Sequence, residues 1–517
     1  MKKLLLVVSA AVSLGLIAAM TEEDWKAKSL VIQPKQLKTE KIGMRDVTWY
    51  SHPGDASWGA QRMCDDRFAV AVPTGKKSEG APLVVWLHSR GGGMPQGGIE
   101  SQVKGVGGTG EGGVYRAPAD FCVLVLDSMR QFNVQANQTH EEFWWGGSGK
   151  FCGPKEGDVP RLLKGETSCE KRCLETIEWV IREYKIDRNR VYLCGNSMGG
   201  QGTLAFGLPH GEIFAAINGN VPATIWFPAA RMGFVDDKCK DNEAYDPSAF
   251  ADPPVCVDWS GSDDVWSRNH DVIYRNMAKH KYNFIGLWGN YGHCGSVNDA
   301  RKKNPLIERF DWLSIRKNAA YPVFTNASSD DKCPWPFSVW QPQENTWGGW
   351  AGDISGGSRK EIAAGAKPAG QVNGFFRWEN VRDDAKELVM KLYLVSAEDV
   401  GIDLLAESDD ELKFKPPAES VADVSLRRIQ GAKVAPGQSV KWSFGKQKGE
   451  VKADANGLVT VPQLKITGAK QDLKLSFGAD GKAAKNGAKN DAKNGGAKAT
   501  SQKKAKSQPR KATKKNK

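Results

Sequence analysis

Eight short runs of apolar and β-branched residues recur along the first 290 residues of the chain. They are Val47–Tyr50, Phe68–Val72, Leu83–Leu87, Cys122–Leu126, Val191–Cys194, Phe214–Ile217, Val255–Val257 and Asn283–Trp288. From the third run onward, most are separated by loops or helical patterns, which is typical of a largely parallel sheet covered by helices on both faces. We therefore predict an α/β fold with a doubly wound sheet of about eight strands.

The stretch after Thr167 is the clearest helix between these strands. Thr167 and Glu170 stand at the spacing of a capping box, and apolar residues recur on one helical face as far as Tyr184. A further helix is predicted over residues 271–280, between the last two strands. Because the chain is too long for one core, we assign only residues 21–320 to this domain.

The pattern changes near Tyr321. From there to residue 478 the sequence alternates between apolar and polar residues, with turn signals between the runs. One such signal, Asn456-Gly457, predicts a hairpin over residues 451–461. We predict a β-sandwich accessory domain over residues 321–478, which either binds glycan or packs on the first domain.

The first 20 residues have the pattern of a cleaved secretory signal. Lys2 and Lys3 precede an apolar run from Leu4 to about Ala19, which is short for a bilayer span. The signal predicts a secreted or periplasmic protein, and an uncleaved membrane anchor is the alternative. No later segment is apolar enough to cross a membrane, so we predict no transmembrane segment after signal removal.

The positive charge of the chain is concentrated at its end. Residues 479–517 contain twelve Lys and one Arg against two Asp, a net charge of +11 out of +12 for the whole chain. This segment lacks aromatic and branched apolar residues, so we predict a disordered Lys-rich tail. The tail is either simply solvated or binds an anionic surface or acidic polysaccharide. Nucleic acid is not the predicted partner, because an exported chain would seldom meet it.

Ten cysteines lie between Cys64 and Cys333, and none follows. In an exported protein some of these should form disulfides, whose pairing the sequence does not reveal. Cys194 and Cys256 stand inside apolar runs, where buried thiols are the alternative. No spacing of His, Cys and Asp resembles a zinc site, and we predict no metal and no cofactor.

A candidate nucleophile follows the fifth run. In Gly195-Asn196-Ser197-Met198-Gly199, small residues two positions before and after the serine permit a tight strand-to-helix turn that exposes its hydroxyl. The seventh run leads to a loop that contains Asp263 and Asp264, and the eighth leads to a loop that contains His293. Serine, acid and histidine thus each follow a strand, in the chain order of a known hydrolase fold.

On these motifs, residues from about 45 to 315 resemble the secreted serine esterases of the α/β-hydrolase fold. That group contains feruloyl and acetylxylan esterases and polyhydroxyalkanoate depolymerases, and prolyl-oligopeptidase-type peptidases are structural relatives. The resemblance implies that Ser197 is the nucleophile, Asp264 the acid and His293 the base. Asp263 is the alternative acid.

Two backbone donors should stabilise the oxyanion that forms during hydrolysis. One is the amide of Met198. The other should come from the loop His88-Ser89-Arg90-Gly91-Gly92-Gly93, which is similar to the oxyanion loop of the family. Ser89 stands where the family usually has a glycine, and we predict Arg90 as the donor, with Ser89 as the alternative.

Tryptophans are frequent near the predicted site. Trp144 and Trp145 belong to a long insertion over residues 131–166, and Trp266 follows the predicted acid. Indoles suit sugar faces and phenolic groups, so we predict these three as substrate-binding residues. Trp259 and Trp288 are expected to lie at the same rim of the substrate site. Core packing is the alternative for most tryptophans.

Together these features predict a secreted serine carboxylesterase that removes acyl groups from polysaccharides or cleaves small esters. A serine peptidase of the prolyl-oligopeptidase-related group is the nearest alternative. A noncatalytic glycan-binding protein on a hydrolase scaffold is the alternative from another class.

Overall fold

The computed structural model describes most of the chain between Thr21 and Phe477. The described residues are 21–58, 65–89, 103, 117–133, 138–141, 143–144, 166–223, 228–229, 232–234, 252–264, 267, 270–293, 300, 304–335, 365–400 and 415–477. The predicted signal peptide and the predicted Lys-rich tail lie outside these residues.

The first part of the chain builds one large sheet. Its strands are β1 (Lys35–Ile42), β2 (Arg45–Pro53), β3 (Asp65–Pro73), β4 (Leu83–Leu87), β5 (Cys122–Leu126), β6 (Met129–Asn133), β7 (Gln138–Glu141), β8 (Val191–Asn196), β9 (Ala216–Asn220), β10 (Val255–Gly261) and β11 (Phe284–Gly289). All eight predicted runs fall on strands of this sheet. The α/β fold class is therefore confirmed.

The order of the strands is that of an α/β-hydrolase sheet. The path runs β1-β2-β3-β5-β4-β8-β9-β10-β11, and a later strand closes its far end. From β5 to β11 the neighbours are parallel, whereas β2 and β3 are antiparallel. Parallel strands bring their carboxyl ends to one edge, where ligands and catalytic groups collect. The ends of β8, β10 and β11 thus lie on the same edge.

The helices are α1 (Glu22–Ala27), α2 (Ser168–Glu183), α3 (Met198–Gly207), α4 (His270–Lys279) and α5 (Ala397–Val400). Short 3-10 helices occupy Ala56–Trp58, Pro305–Glu308 and Trp312–Ser314. The predicted capping box of α2 is confirmed, since the Thr167 side chain accepts from the amide of Glu170 and the Glu170 carboxylate accepts from that of Thr167. The helix predicted over 271–280 is α4, displaced by one residue.

The two faces of the sheet have different cores. On one face, apolar side chains of β4 and β8 pack with those of α2, α3 and α4. On the other face, the core continues into strands of the second part of the chain. Helices were predicted on both faces, and on the second face the helical residues Val103 and Ala300 share the core with 3-10 turns and strands.

The second part of the chain contributes two antiparallel sheets and one strand of the large sheet. Its strands are β12 (Tyr321–Thr325), β13 (Gly370–Val372), β14 (Phe376–Asp383), β15 (Glu387–Leu394), β16 (Glu419–Arg427), β17 (Ser439–Phe444), β18 (Gln447–Lys452), β19 (Val459–Thr467) and β20 (Gln471–Ser476). One sheet has the order β12-β16-β19, and the other has the order β14-β15-β20-β17-β18. Their apolar faces share one core, as in a sandwich.

The hairpin predicted over residues 451–461 is wrong. A tight turn does form, in which the Gly457 amide donates to the Asp454 carbonyl. However, β18 pairs with β17, whereas β19 pairs with β16 in the other sheet. The turn therefore carries the chain from the edge strand of one sheet, β18, to the edge strand of the other, β19.

Strand pairing and buried hydrogen bonds connect the two parts of the chain. β13 pairs antiparallel with β11 and so closes the large sheet. In addition, the buried Arg428 donates to the carbonyls of Gly211, Phe214 and Ala215, which precede β9. The domain boundary at residue 320 stays a prediction, and one strand from beyond it belongs to the large sheet.

The buried cysteines of the sheet are thiols. Cys122, Cys194 and Cys256 are free and buried in β5, β8 and β10, as expected for Cys194 and Cys256 under one of the two alternatives. Burial raises the pKa of the Cys194 and Cys256 thiols well above the usual value, which keeps them protonated.

Among the helices of the described residues, none is long and apolar enough to span a membrane.

Candidate active site

The turn between β8 and α3 presents Ser197 under backbone strain. Ser197 has φ 58° and ψ −114°, a conformation that residues with a side chain rarely adopt. The turn also needs glycine on both sides. A Cβ on Gly195 would lie 2.5 Å from backbone atoms of Gly199, and one on Gly199 would lie 1.9 Å from the Leu87 carbonyl oxygen. The close packing of β8, α3 and β4 thus requires the two glycines that flank Ser197 in the motif Gly195–Gly199.

Backbone hydrogen bonds fix the strained turn on the neighbouring strand. The Ser197 amide donates to the Asn220 carbonyl at 3.0 Å, and the Ala223 amide donates to the Ser197 carbonyl at 3.1 Å. The next amide, that of Met198, is the first of α3, and the first amides of a helix have no acceptor within it. The role of this amide as an oxyanion donor stays a prediction.

Three of the predicted residues form one hydrogen-bonded chain. Ser197 Oγ lies 2.7 Å from His293 Nε2, and His293 Nδ1 lies 2.7 Å from Asp264 Oδ2. A carboxylate only accepts, so the proton of this pair resides on Nδ1 and leaves Nε2 free to accept from the serine. The Asp264 side chain is fully buried, whereas that of His293 is 18% exposed. This arrangement can withdraw a proton from Ser197.

The structure distinguishes between the two candidate acids. Asp264 is 1% exposed and contacts His293, whereas Asp263 is partly exposed in the turn that leaves β10. A second contact orients Asp264, because the buried Ser267 hydroxyl donates to its Oδ2 at 3.1 Å. Asp264 therefore has the geometry expected of the acid.

The loops after β10 and β11 touch each other. A Cβ on Gly261 would lie 1.9 Å from the Tyr291 carbonyl oxygen, so glycine is needed for the loops to approach. Burial raises the pKa of the Tyr291 phenol well above its usual value, and the nearby carboxylates of Asp258 and Asp264 raise it further. Tyr291 therefore stays neutral beside the triad.

The loop after β4 begins with two residues that are firmly held. The buried His88 accepts from the Ser128 amide at Nε2 and donates through Nδ1 to the Ser89 carbonyl. The Ser89 hydroxyl donates to the Asn196 carbonyl at 3.0 Å and accepts from the Asn196 amide group at 3.1 Å. The serine in the usual glycine position thus ties this loop to the residue before the nucleophile. Arg90, the predicted second oxyanion donor, lies outside the described residues.

The predicted rim of tryptophans looks different in the structure. Trp144 is 1% exposed, donates to the His88 carbonyl and packs against Gly202 of α3. It lies beneath the loop rather than at a rim, and a contact between its indole and substrate stays a prediction. Trp259 and Trp288 are also buried in the cores. Trp145 and Trp266 lie outside the described residues.

One buried group beside Asp264 is not singled out by the sequence. His270 stands at a helix boundary, where a polar residue commonly caps the helix or faces water, but its side chain is fully buried against Asp258, Ser260 and Ser267. The only sequence signal was spacing, because Asp264, Ser267 and His270 follow one another at intervals of three. No group of three or more His, Cys, Asp or Glu side chains that could hold a metal occurs among the described residues.

No protein-family model matches this chain, and no curated protein does. Solved structures resemble it weakly. An S-formylglutathione hydrolase from Agrobacterium tumefaciens has 14% identity and a TM-score of 0.34, over 50% of this chain and 92% of that one. An acetyl xylan esterase from Paenibacillus sp. R4 has 14% identity and a TM-score of 0.33, over 53% and 88%. Acetyl xylan esterase 1 from Thermoanaerobacterium sp. JW/SL YS485 has 12% identity and a TM-score of 0.33, over 53% and 86%. Likenesses this weak carry no argument about function.

Proposed function

We propose that this protein is a serine hydrolase that cleaves carboxylic esters, with acyl groups on polysaccharides as its substrate class. The observation that carries the proposal is the hydrogen-bonded chain from Ser197 through His293 to Asp264. Both contacts measure 2.7 Å, and the carboxylate and the serine lie on opposite nitrogens of the ring. Such an arrangement is the one that activates a serine hydroxyl.

The first half of the reaction forms an acyl-enzyme. Ser197 Oγ attacks the ester carbonyl carbon while its proton passes to His293 Nε2, and Asp264 stabilises the charged imidazole. When the tetrahedral intermediate collapses, the bond to the alcohol breaks and His293 returns the proton to the leaving oxygen.

The second half releases the acid. A water molecule gives a proton to His293 and attacks the acyl carbon, and the bond to Ser197 Oγ then breaks. The serine recovers its proton from His293, so the enzyme returns to its starting state. The Met198 amide and a donor from the loop after β4, which we assign to Arg90, would stabilise the oxyanion in both halves, at about 3 kcal/mol per donor.

Covalent labelling is the most direct test of the nucleophile. A fluorophosphonate should modify Ser197 in the full-length protein and leave the Ser197→Ala variant unlabelled, because the reaction needs the serine, the base and the oxyanion site together. Labelling at another residue, or none at all, would refute the proposal.

A substrate panel separates the ester proposal from its alternatives. We expect turnover of aryl acetates, methyl ferulate or acetylated xylan, and little of peptide amides. Rapid amide cleavage with inert esters would instead indicate a peptidase. Glycan binding without turnover of any substrate would indicate a noncatalytic binding protein.

The location of the protein and the role of its tail belong to the same proposal. A signal sequence over residues 1–20 supports export, so we propose a secreted or periplasmic enzyme. The net charge of +11 on residues 479–517 supports electrostatic attachment to an anionic surface. Co-sedimentation with an acidic polysaccharide should be stronger for the full chain than for a variant that ends at residue 478, and equal binding would refute attachment through the tail.

A further inference from the structure

A second Asp–His pair lies behind the acid of the proposed triad. His270, at the start of α4, and Asp258, in β10, are both fully buried. His270 Nε2 lies 3.3 Å from Asp258 Oδ2 and 2.9 Å from Ser260 Oγ. The Tyr274 hydroxyl donates to the same carboxylate oxygen at 3.0 Å. A buried carboxylate needs such a donor, and the contacts of Nε2 with Ser260 and Asp258 hold the His270 ring in one orientation.

The other nitrogen of His270 is directed toward the triad. Nδ1 lies 2.6 Å from the Ser267 carbonyl oxygen. Because a carbonyl only accepts, Nδ1 carries a proton and donates it to Ser267. The indole of Trp335 stacks on the ring, with centroids 4.6 Å apart and an angle of 26° between the planes. Contacts at both nitrogens and on one face leave the imidazole little freedom to rotate.

Ser267 joins the two pairs. Its carbonyl accepts from His270, and its hydroxyl donates to Asp264 Oδ2 at 3.1 Å. That same oxygen accepts from His293 Nδ1 at 2.7 Å. The backbone closes the turn, since the Ser267 amide donates to the Asp264 carbonyl at 3.1 Å. One residue thus contacts the acid of the triad at one end and a fixed, buried histidine at the other.

We propose that Ser267 and His270 are positioning residues that orient Asp264 for catalysis. The inference rests on the proposed function, because it assigns these residues a role in that reaction. His270 fixes the backbone at Ser267, and Ser267 holds the carboxylate oxygen that orients His293. Neither residue touches the reacting atoms. Their removal should therefore reduce turnover while substrate binding is retained.

Ser267→Ala is the first test, with Ser262→Ala as the matched control. Both serines are buried in the same loop, and the Ser262 hydroxyl donates to the Gly289 carbonyl rather than to Asp264. Ser267→Ala removes the hydrogen bond that holds the Asp264 carboxylate. We therefore expect kcat to fall about tenfold, with KM within about twofold. For Ser262→Ala we expect kcat within about twofold of the wild type. Equal kcat values in the two variants would overturn the proposal, as would an unchanged kcat in Ser267→Ala.

A pair of substitutions at His270 separates its two contacts. The amide nitrogen of asparagine can take the position of Nδ1, and that of glutamine the position of Nε2. His270→Asn keeps a donor to Ser267 and loses the contact with Asp258, whereas His270→Gln does the reverse. If the hold on Ser267 matters, the asparagine variant should retain more of kcat than the glutamine variant, by about fivefold or more. The opposite order, or equal losses in proteins with the same Tm, would contradict the role of His270.

A spectroscopic readout makes the test independent of turnover. The proton between His293 Nδ1 and Asp264 should give a strongly downfield proton NMR signal in the full-length protein. This signal should shift in Ser267→Ala and not in Ser262→Ala, and equal positions in both would refute the inference. If the wild type is inert to esters and to fluorophosphonates, the proposed function fails, whereas the signal still reports whether Ser267 orients the pair.

Discussion

The two Asp–His pairs of this protein contain the same kinds of side chain and differ in their arrangement. In the Asp264–His293 pair, the carboxylate lies at Nδ1 and a serine hydroxyl at Nε2. In the Asp258–His270 pair, the carboxylate and a serine hydroxyl both lie at Nε2, and Nδ1 contacts a backbone carbonyl. Only in the Asp264–His293 pair does the imidazole ring lie between the carboxylate and the serine hydroxyl, with Nε2 able to accept the serine proton.

This difference shows that composition does not define a catalytic triad. A serine, a histidine and an aspartate meet at both places, but only at the first can a proton leave the hydroxyl for a nitrogen whose opposite side is stabilised by the carboxylate. The second group is fully buried, and a substrate could not reach it. Access for a substrate, together with the arrangement of groups around the imidazole, is what separates the first group from the second.

The largest expected effect comes from removing each serine in turn. Ser197→Ala should lower kcat by a factor on the order of 10⁶, because no other group can form the acyl-enzyme. Ser260→Ala should leave kcat within about threefold, because the Ser260 hydroxyl contacts the buried His270 and lies outside the Ser197–His293–Asp264 chain. Steady-state kinetics on an aryl acetate measure both, and comparable losses would erase the distinction between the two groups.

Replacing the two aspartates should separate catalysis from stability. Asp264→Asn should lower kcat by a factor on the order of 10⁴, because His293 would no longer be held in the right tautomer. Asp258→Asn should lower kcat only a few-fold but destabilise the protein by about 2 kcal/mol, because it disturbs the buried hydrogen bond that the Tyr274 hydroxyl donates to this side chain. Kinetics and urea unfolding of both variants test this, and a reversed ranking of the two effects would show that the pairs were assigned the wrong roles.

The approach of the loops after β10 and β11 gives an intermediate effect. Gly261→Ala would place a Cβ 1.9 Å from the Tyr291 carbonyl oxygen and push the two loops apart. A displacement of this kind should lower kcat by about 10- to 100-fold. Gly292→Ala is the control, because the nearest atom to its Cβ, the Asp263 carbonyl oxygen, is 3.9 Å away. If both glycines tolerate alanine equally, the contact does not position His293.

The smallest expected effect concerns a half-buried carboxyl group that is far from both pairs in sequence. Burial raises the pKa of Asp330 to about 7, although the Asn373 amide donates to it. The folded state favours the neutral form, so this contribution to stability is present below the ordinary pKa near 3.8 and is lost as the pH rises to about 7. Asp330→Asn should flatten the pH dependence of Tm between pH 4 and 7, and an unchanged slope would contradict the shift.

Much of the large sheet could be predicted, because a buried parallel strand is a short, continuous run of apolar residues in the sequence. β4 and β5 are buried along their whole length and consist of apolar residues alone. The pairing of β13 with β11 could not be predicted in the same way. Three residues leave no periodic signal, and their position depends on contacts with strands more than 80 residues away in sequence.

The triad was predictable for a different reason than the residues that support it. Ser197, Asp264 and His293 each follow a strand and stand among glycines or in turns, where a polar residue has few structural duties. Ser267 and His270 have no such mark. Their roles depend on which atoms face which in three dimensions, and a histidine at a helix boundary is as consistent with exposure to water as with full burial.

The closing of the large sheet by β13 has a consequence for how the protein folds during synthesis. Among the described residues, the outer edge of β11, which leads into the His293 loop, pairs with Gly370–Val372, about 80 residues later in the chain. Until that segment leaves the ribosome, the nascent sheet has an open edge that could pair with another chain. A fragment that ends near residue 320 would keep this edge permanently. The strand that leads to His293 therefore gains its edge partner late in synthesis, and β13 from the second part of the chain then prevents β11 from pairing with another chain.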